Sequence, residues 1–245
     1  MTTFATLGSF AHFVAVFVRA SVVRPPPIAR SIEEAYKIGV RSLPILLIIS
    51  TFVGTNLVLL GLSAFAPLGG QTLLGMFVAM AGVREMGPIM VAAMVASKAG
   101  TEMASQIAVM RIREQIDALE VMAVNPHWYL ITPRFIGIVM VLPALTLISV
   151  FTLFVASYAT AVWQLNQNGE QFIAMASQSL QMSDLIYTEI KSVFFGIVIC
   201  LVSCYNGFFS GPGPSGVGQA TNNAVVVSAC ICAVINYLLS EVMYG

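Results

Sequence analysis

The feature that most restricts this chain is a set of uncharged stretches, each as long as a bilayer is thick. A helix rises 1.5 Å per residue and needs roughly 20 residues to cross about 30 Å of hydrocarbon. Leu43 to Ala66, Phe135 to Trp163 and Ser192 to Phe209 contain no charged residue, and Asn222 to Ser240 is a fourth run weakened by Asn222, Asn223 and Asn236. A fifth, Thr72 to Ala96, is apolar except for the adjacent pair Arg84 and Glu85 near its middle. Only 9% of the 245 residues are charged, against roughly 25% in a soluble domain. These runs predict an all-α integral membrane protein with about five transmembrane helices.

Lysine and arginine set the orientation. The N-terminal tail carries Arg19, Arg24, Arg30, Lys37 and Arg41, and the link between the second and third spans carries Lys98, Arg111, Arg113 and Arg134, whereas Asn166 to Glu189 has none. Positive charge stays in the cytoplasm, so the N-terminus is expected inside, the loop around Ser210 to Thr221 inside, and the C-terminus outside after five crossings. Leu7, Phe10, Phe13, Val14, Phe17 and Val18 recur at helical spacing, which fits a helix lying in the membrane interface. Arg24-Pro25-Pro26-Pro27 ends it, since consecutive prolines lack the donors a helix needs. Residues 1–42 thus form an interfacial and cytoplasmic segment, and residues 43–245 the membrane domain.

Several kinds of chemistry are excluded by what the motifs lack. Gly211-Pro-Gly-Pro-Ser-Gly216 has the letters of a phosphate loop, but no strand precedes it and prolines remove backbone donors, so it reads as a turn between the fourth and fifth spans. None of Lys37, Lys98 or Lys191 follows a glycine, so no Walker A loop exists here and any ATP must be bound by a partner. Zinc-protease and serine-hydrolase motifs are missing too, and His127-Trp128-Tyr129 suits an aromatic belt at the bilayer boundary. Cys200, Cys204, Cys230 and Cys232 lack metal or redox spacing and read as small buried apolar residues. Eleven basic and eleven acidic residues balance, so no nucleic acid is expected, and the missing motifs leave no cofactor or metal expected in this chain.

Three segments call for a role. A charge at the bilayer centre costs roughly 2.5–3.5 kcal/mol, so Arg84 and Glu85 require either interhelical ion pairs or a polar or lipid-headgroup pocket on a substrate path. Ala92, Ala96, Gly100, Ala104 and Ala108 place a small residue at every fourth position, a stripe that lets helices approach closely within or between subunits. Between the second and third spans, the stretch from Arg111 to Val124 puts Ile112, Ile116, Leu119 and Met122 on one helical face, with Arg111, Arg113, Glu114, Asp117 and Glu120 around the rest. Asn125-Pro126 closes this amphipathic helix. Its three acids against two bases suit docking to a protein better than lying on a membrane.

Taken together, Arg84-Glu-Met-Gly-Pro88, Ala99-Gly100, Met110, Glu114-Gln-Ile-Asp-Ala-Leu-Glu-Val-Met122, Asn125-Pro126 and Pro133-Arg134 resemble the MlaE/YrbE permeases, membrane subunits of bacterial lipid ABC transporters. Ile190-Lys-Ser-Val193, Tyr205-Asn-Gly207 and Gly216-Val-Gly-Gln-Ala-Thr221 extend the likeness, which runs from about Val40 to the C-terminus. Lys98, Gln106 and Asn236 stand where arginine, glutamate and aspartate are usual. The resemblance implies a bacterial inner-membrane permease that moves phospholipid or a related hydrophobic substrate. It implies three kinds of partner: an ABC ATPase subunit gripping the 111–124 coupling helix, an MCE-domain protein, and a second permease copy or sister permease. An ion-driven secondary transporter is the alternative, disfavoured because the five spans show no internal repeat.

Overall fold

The computed structural model describes residues 3–23 and 25–244, and all their side chains except those of residues 3–7, 23 and 68. The side chain of Leu7, and Arg24 as a whole, lie outside the described residues. Among the described residues there is no strand. The helices are α1 (Thr3–Val23), α2 (Ile28–Phe65), α3 (Gln71–Ile112), α4 (Gln115–Val121), α5 (His127–Gln164), α6 (Gly169–Ser179), α7 (Met182–Phe208) and α8 (Gly213–Tyr244). Five of them, α2, α3, α5, α7 and α8, are long and apolar enough to cross a membrane.

Four spans start well before the uncharged runs that announce them: α5 begins at His127 rather than Phe135, α8 at Gly213 rather than Asn222, and α2 and α7 earlier still. α2 begins at Ile28 rather than Leu43, so the expected boundary at residue 42 falls inside a helix. α7 begins at Met182 rather than Ser192. In both cases charged residues continue the helix past the purely apolar window: Lys37 pairs with Glu33 at 2.8 Å, one turn apart, and Asp184, Glu189 and Lys191 all lie on α7.

The segment from Arg111 to Val124 is not one helix. α3 runs on through Ile112, so Arg111 sits in its last turn, and Glu114 takes a left-handed conformation (φ 57°) that breaks the helix before α4 starts at Gln115. The break resets the helical phase. Ile116 is buried and Leu119 half-buried, but Ile112 and Met122 are exposed, and the expected four-residue face does not form. α4 stops at Val121 because Ala123 is also left-handed (φ 58°). Asn125-Pro126 is a start rather than a stop: the Asn125 side chain accepts the backbone N–H groups of His127 (3.0 Å) and Trp128 (3.4 Å), capping α5, and Pro126 sits where no donor is needed.

The chain falls into two units, each built from several helices. The first comprises Met1–Val40, Val95–Val141 and Phe195–Cys232. Here α1 is held by rings: Phe13 packs on His127 (5.3 Å), Tyr205 (5.6 Å) and Phe208 (5.8 Å), while Phe17 packs on Phe135 (5.3 Å). Ser9 and Tyr205 share a hydrogen bond of 2.6 Å. α3 and α7 approach closely in this unit, since a Cβ on Gly207 would stand 2.7 Å from the Ala104 carbonyl and one on Gly100 2.9 Å from Ser203 Oγ. Cys200 and Cys204 are buried as expected, as is Cys232, but Cys230 points outward from α8.

The second unit comprises Arg41–Met94, Leu142–Phe194 and Ala233–Gly245. Leu57, Val58, Leu74, Val78, Leu153, Ala161 and Phe172 form its core. Polar groups inside it satisfy each other across helices: Ser50 with Ser149 at 2.7 Å, and Ser157 donating to the Gly54 carbonyl at 2.9 Å.

Candidate functional site

The site begins with a local defect in α3. From Val78 to Met86 the helix is wound as a π-helix, and the Gly87 N–H bonds the Gly82 carbonyl, five residues back. The usual acceptor four residues back, Val83, is thereby passed over. The next residue, Pro88, has no N–H to offer the Arg84 carbonyl. Two consecutive carbonyls are left for other donors, and α7 supplies both: Thr188 Oγ1 donates to Val83 O at 3.1 Å and Lys191 Nζ to Arg84 O at 2.9 Å. π-turns inside α-helices are frequently found at functional sites, where they turn side chains and carbonyls away from the regular ladder.

On this turn Arg84 and Glu85 point to different partners, as adjacent helical residues must. Arg84 Nη2 donates to Asp184 Oδ2 at 3.1 Å, and the same oxygen accepts the Gln181 N–H at 2.9 Å. Glu85 Oε1 accepts from Lys191 Nζ at 3.0 Å and Ser240 Oγ at 2.7 Å, and its Oε2 accepts from Asn236 Nδ2 at 2.8 Å. Lys191 is fully buried and its ammonium has three acceptors, the third being Ser240 Oγ at 2.7 Å. Two cations and two carboxylates therefore form an interhelical network joining α3, α7 and α8. The Tyr244 ring covers it, 4.9 Å from the Arg84 guanidinium and 5.2 Å from the Lys191 ammonium.

Beside the network lies a cavity of about 470 Å³. Its walls include Phe65, Met76, Phe77 and Met80, and its polar side is Arg84, Glu85 and Tyr244. That volume falls within the roughly 300–1,000 Å³ of small-molecule sites. Arg84 Nε is buried and has no acceptor among the described residues. Arg84 and Glu85 are thus ion-paired across helices and also line a largely apolar cavity.

Sequence reasoning missed Asp184, Thr188, Lys191, Asn236 and Ser240. The signal was present: Asp184, Thr188 and Lys191 stand at i, i+4 and i+7, one polar stripe on a helix that is apolar from Ser192 onward. Asp184, Thr188 and Lys191 are all buried. Of the stripe of small residues, Ala92, Ala96, Gly100, Ala104 and Ala108 are all buried within the chain. Gln106 accepts from buried Arg134 at 2.9 Å and donates to Glu102 at 3.2 Å. In the coupling segment Arg111 pairs with Asp117 at 2.6 Å, leaving Arg113, Glu114 and Glu120 exposed. His127 packs between Phe13 and Phe208, and Tyr129 lies under the Arg30 guanidinium at 4.2 Å. Among the described residues no group of three or more His, Cys, Asp or Glu side chains could hold a metal ion.

The family described as Permease MlaE matches residues 31–242. The chain belongs to the MlaE permease family. A probable ABC transporter permease protein of Rickettsia conorii is 34% identical over 98% of this chain and 92% of its own length. The intermembrane phospholipid transport system permease protein MlaE of Haemophilus influenzae is 29% identical, covering 87% of this chain and 82% of that protein. A probable ABC transporter permease protein of Synechocystis is 31% identical over 87% of this chain and 81% of its own. This MlaE-family chain is a multi-pass membrane permease, a transporter component.

Proposed function

We propose that the chain is the permease subunit of an ABC transporter that moves phospholipid or a related hydrophobic molecule, with Arg84 and Glu85 on the substrate path. The observation that carries this reading is the apolar cavity whose polar side holds Arg84, a cation with a buried N–H that lacks an acceptor. An acyl chain fits the Phe and Met wall, and a phosphate or ester oxygen answers the part-exposed Arg84 guanidinium. ATP is bound and hydrolysed by a separate subunit, which docks on α4 and its flanks through Arg111, Arg113, Glu114, Asp117, Leu119 and Glu120. Ile116, buried in the chain, anchors α4 to the permease. Force on α4 passes directly into α3 and α5. The N-terminus faces the cytoplasm of a bacterial inner membrane. A second permease copy or sister permease completes the pore, and an MCE-domain protein takes or delivers the lipid.

A photoreactive residue at Met76, in the cavity wall, should capture phospholipid in the assembled transporter, and Arg84→Ala should lower transport. Capture of protein alone, together with full transport by Arg84→Ala, would overturn the substrate-path assignment. For coupling, Leu119→Ala with Glu120→Lys should release the ATPase subunit or leave it hydrolysing without transport, while the permease still inserts. Wild-type binding and transport by that double variant would sink the assignment.

A further inference from the structure

The turn expected over Gly211 to Gly216 is shorter than that, since α8 already starts at Gly213, and this short link from α7 into α8 has no part in the proposed function, yet it is built stiffly. Gly213 turns the chain at φ 77°, Pro212 and Pro214 restrict it further, and Gly216 abuts the Gly211 carbonyl so closely that no side chain fits there. This fixed turn sets the start of α8 beside the end of α3. Between them lies a groove of about 360 Å³, lined by Val109, Ile112 and Arg113 from α3 and its exit, and by Pro214 and Val217 from α8. The Arg113 guanidinium at its rim is exposed and has no hydrogen-bond or ion-pair partner among the described residues. Ile112 is exposed on its α3 side, and Val121 and Met122, at the end of α4, are exposed as well, at 88% and 63%.

An apolar groove with one unpaired cation complements an apolar side chain carried next to a carboxylate. An anionic lipid surface offers the same two groups, but Arg111 is already neutralised by Asp117, and Glu114 and Glu120 remain exposed beside Arg113. That acidic excess repels a uniformly anionic membrane, whereas a protein can set a single carboxylate against Arg113 and cations against Glu114 and Glu120. Ile112 and Arg113 belong both to the groove and to the link into α4, so an occupant of the groove is continuous with whatever docks on α4. We infer that the ATPase subunit engages the permease at this second point, inserting an apolar side chain flanked by a carboxylate between the end of α3 and the start of α8. The inference rests on the reading of α4 as the ATPase dock. Its consequence is mechanical: α4 alone connects the ATPase to the second and third spans, and the groove adds the fifth. Because the turn is rigid before docking, little ordering entropy opposes the contact.

The test is photo-crosslinking in the transporter purified with its ATPase, with a benzophenone amino acid placed at Val217 in one preparation and at Glu120 in another. Capture of the ATPase subunit from both positions is expected. Capture from Glu120 but not from Val217 overturns the groove and leaves the α4 reading standing, whereas capture from neither removes both. Crosslinks from Val217 to lipid or to a second permease copy also overturn it. Val217→Trp fills the groove and should reduce ATP-driven transport about tenfold, the scale of losing one buried anchor, with the ATPase still co-purifying through α4. Undiminished transport by Val217→Trp refutes the contact.

Discussion

Replacing Glu85 by glutamine keeps the shape of the polar network and removes one of its charges. The ammonium of Lys191, 0% exposed, then keeps the Arg84 carbonyl and Ser240 Oγ as acceptors but has no counter-ion. Breaking a buried pair from one side typically costs about 3–5 kcal/mol, because the remaining charge stays uncompensated. The opposite change, Lys191→Met, leaves Glu85 with the Ser240 and Asn236 donors and a side chain 39% exposed, so its loss should fall below about 3 kcal/mol. Removing both charges leaves no orphaned ion. The double variant should therefore be more stable than Glu85→Gln alone, with a coupling energy of about 1–3 kcal/mol. Unfolding in mixed micelles on titration with a denaturing detergent, followed by the fluorescence of Trp128 and Trp163, measures all four corners of the cycle. If the two single losses add to within about 0.5 kcal/mol, the residues are independent and the network as described here is wrong.

Pro88→Ala restores an N–H four residues after Arg84, which competes with Lys191 for the Arg84 carbonyl; transport should drop while expression and membrane insertion stay normal, and unchanged transport would show that the π-turn is dispensable. Gly207→Ala drives a Cβ to 2.7 Å from the Ala104 carbonyl and 2.9 Å from Ile107 Cβ, so thermal unfolding should register a loss of about 1–3 kcal/mol, and a neutral result would mean that α3 and α7 can separate there. In a cysteine-free background, a cysteine at Glu120 should react with an impermeant maleimide only from the cytoplasmic side and one at Ser177 only from outside; the reverse pattern would invert the assigned topology.

What the sequence revealed and what it hid divide along one physical line. The spans themselves were legible because hydrocarbon excludes charge, and a run such as Phe135 to Trp163 has no other explanation. The same criterion concealed the partners of Arg84 and Glu85. A search for uncharged windows starts the fourth span at Ser192, directly after Lys191, and so assigns the three residues that α7 gives the network, Asp184, Thr188 and Lys191, to a loop. A charge that lies deep but is paired looks, in one dimension, like the end of a helix. Asn236 and Ser240 were hidden for another reason, since neither is charged and α8 brings them to Glu85 from more than a hundred positions along the chain.

The π-turn was out of reach for a third reason, and it explains why the site stands where it does. Gly82, Gly87 and Pro88 each have an ordinary reading in a membrane helix, where small residues and proline are common. Their joint effect appears only with the backbone bonds: Gly87 reaches back to Gly82, Pro88 donates nothing, and two carbonyls become acceptors at membrane depth. Unsatisfied carbonyls in lipid cost several kcal/mol each, so a second helix must bring donors. Thr188 and Lys191 are those donors, and burying the Lys191 ammonium in turn demands a carboxylate, which Glu85 supplies from the same turn that created the need. Arg84 and Asp184 flank this set, and among the described residues Arg84 Nε and Asn236 Oδ1 are both buried in the network without a hydrogen-bond partner. The helix defect thus fixes Lys191, Lys191 fixes Glu85, and the network sets Arg84 at the side of an apolar cavity.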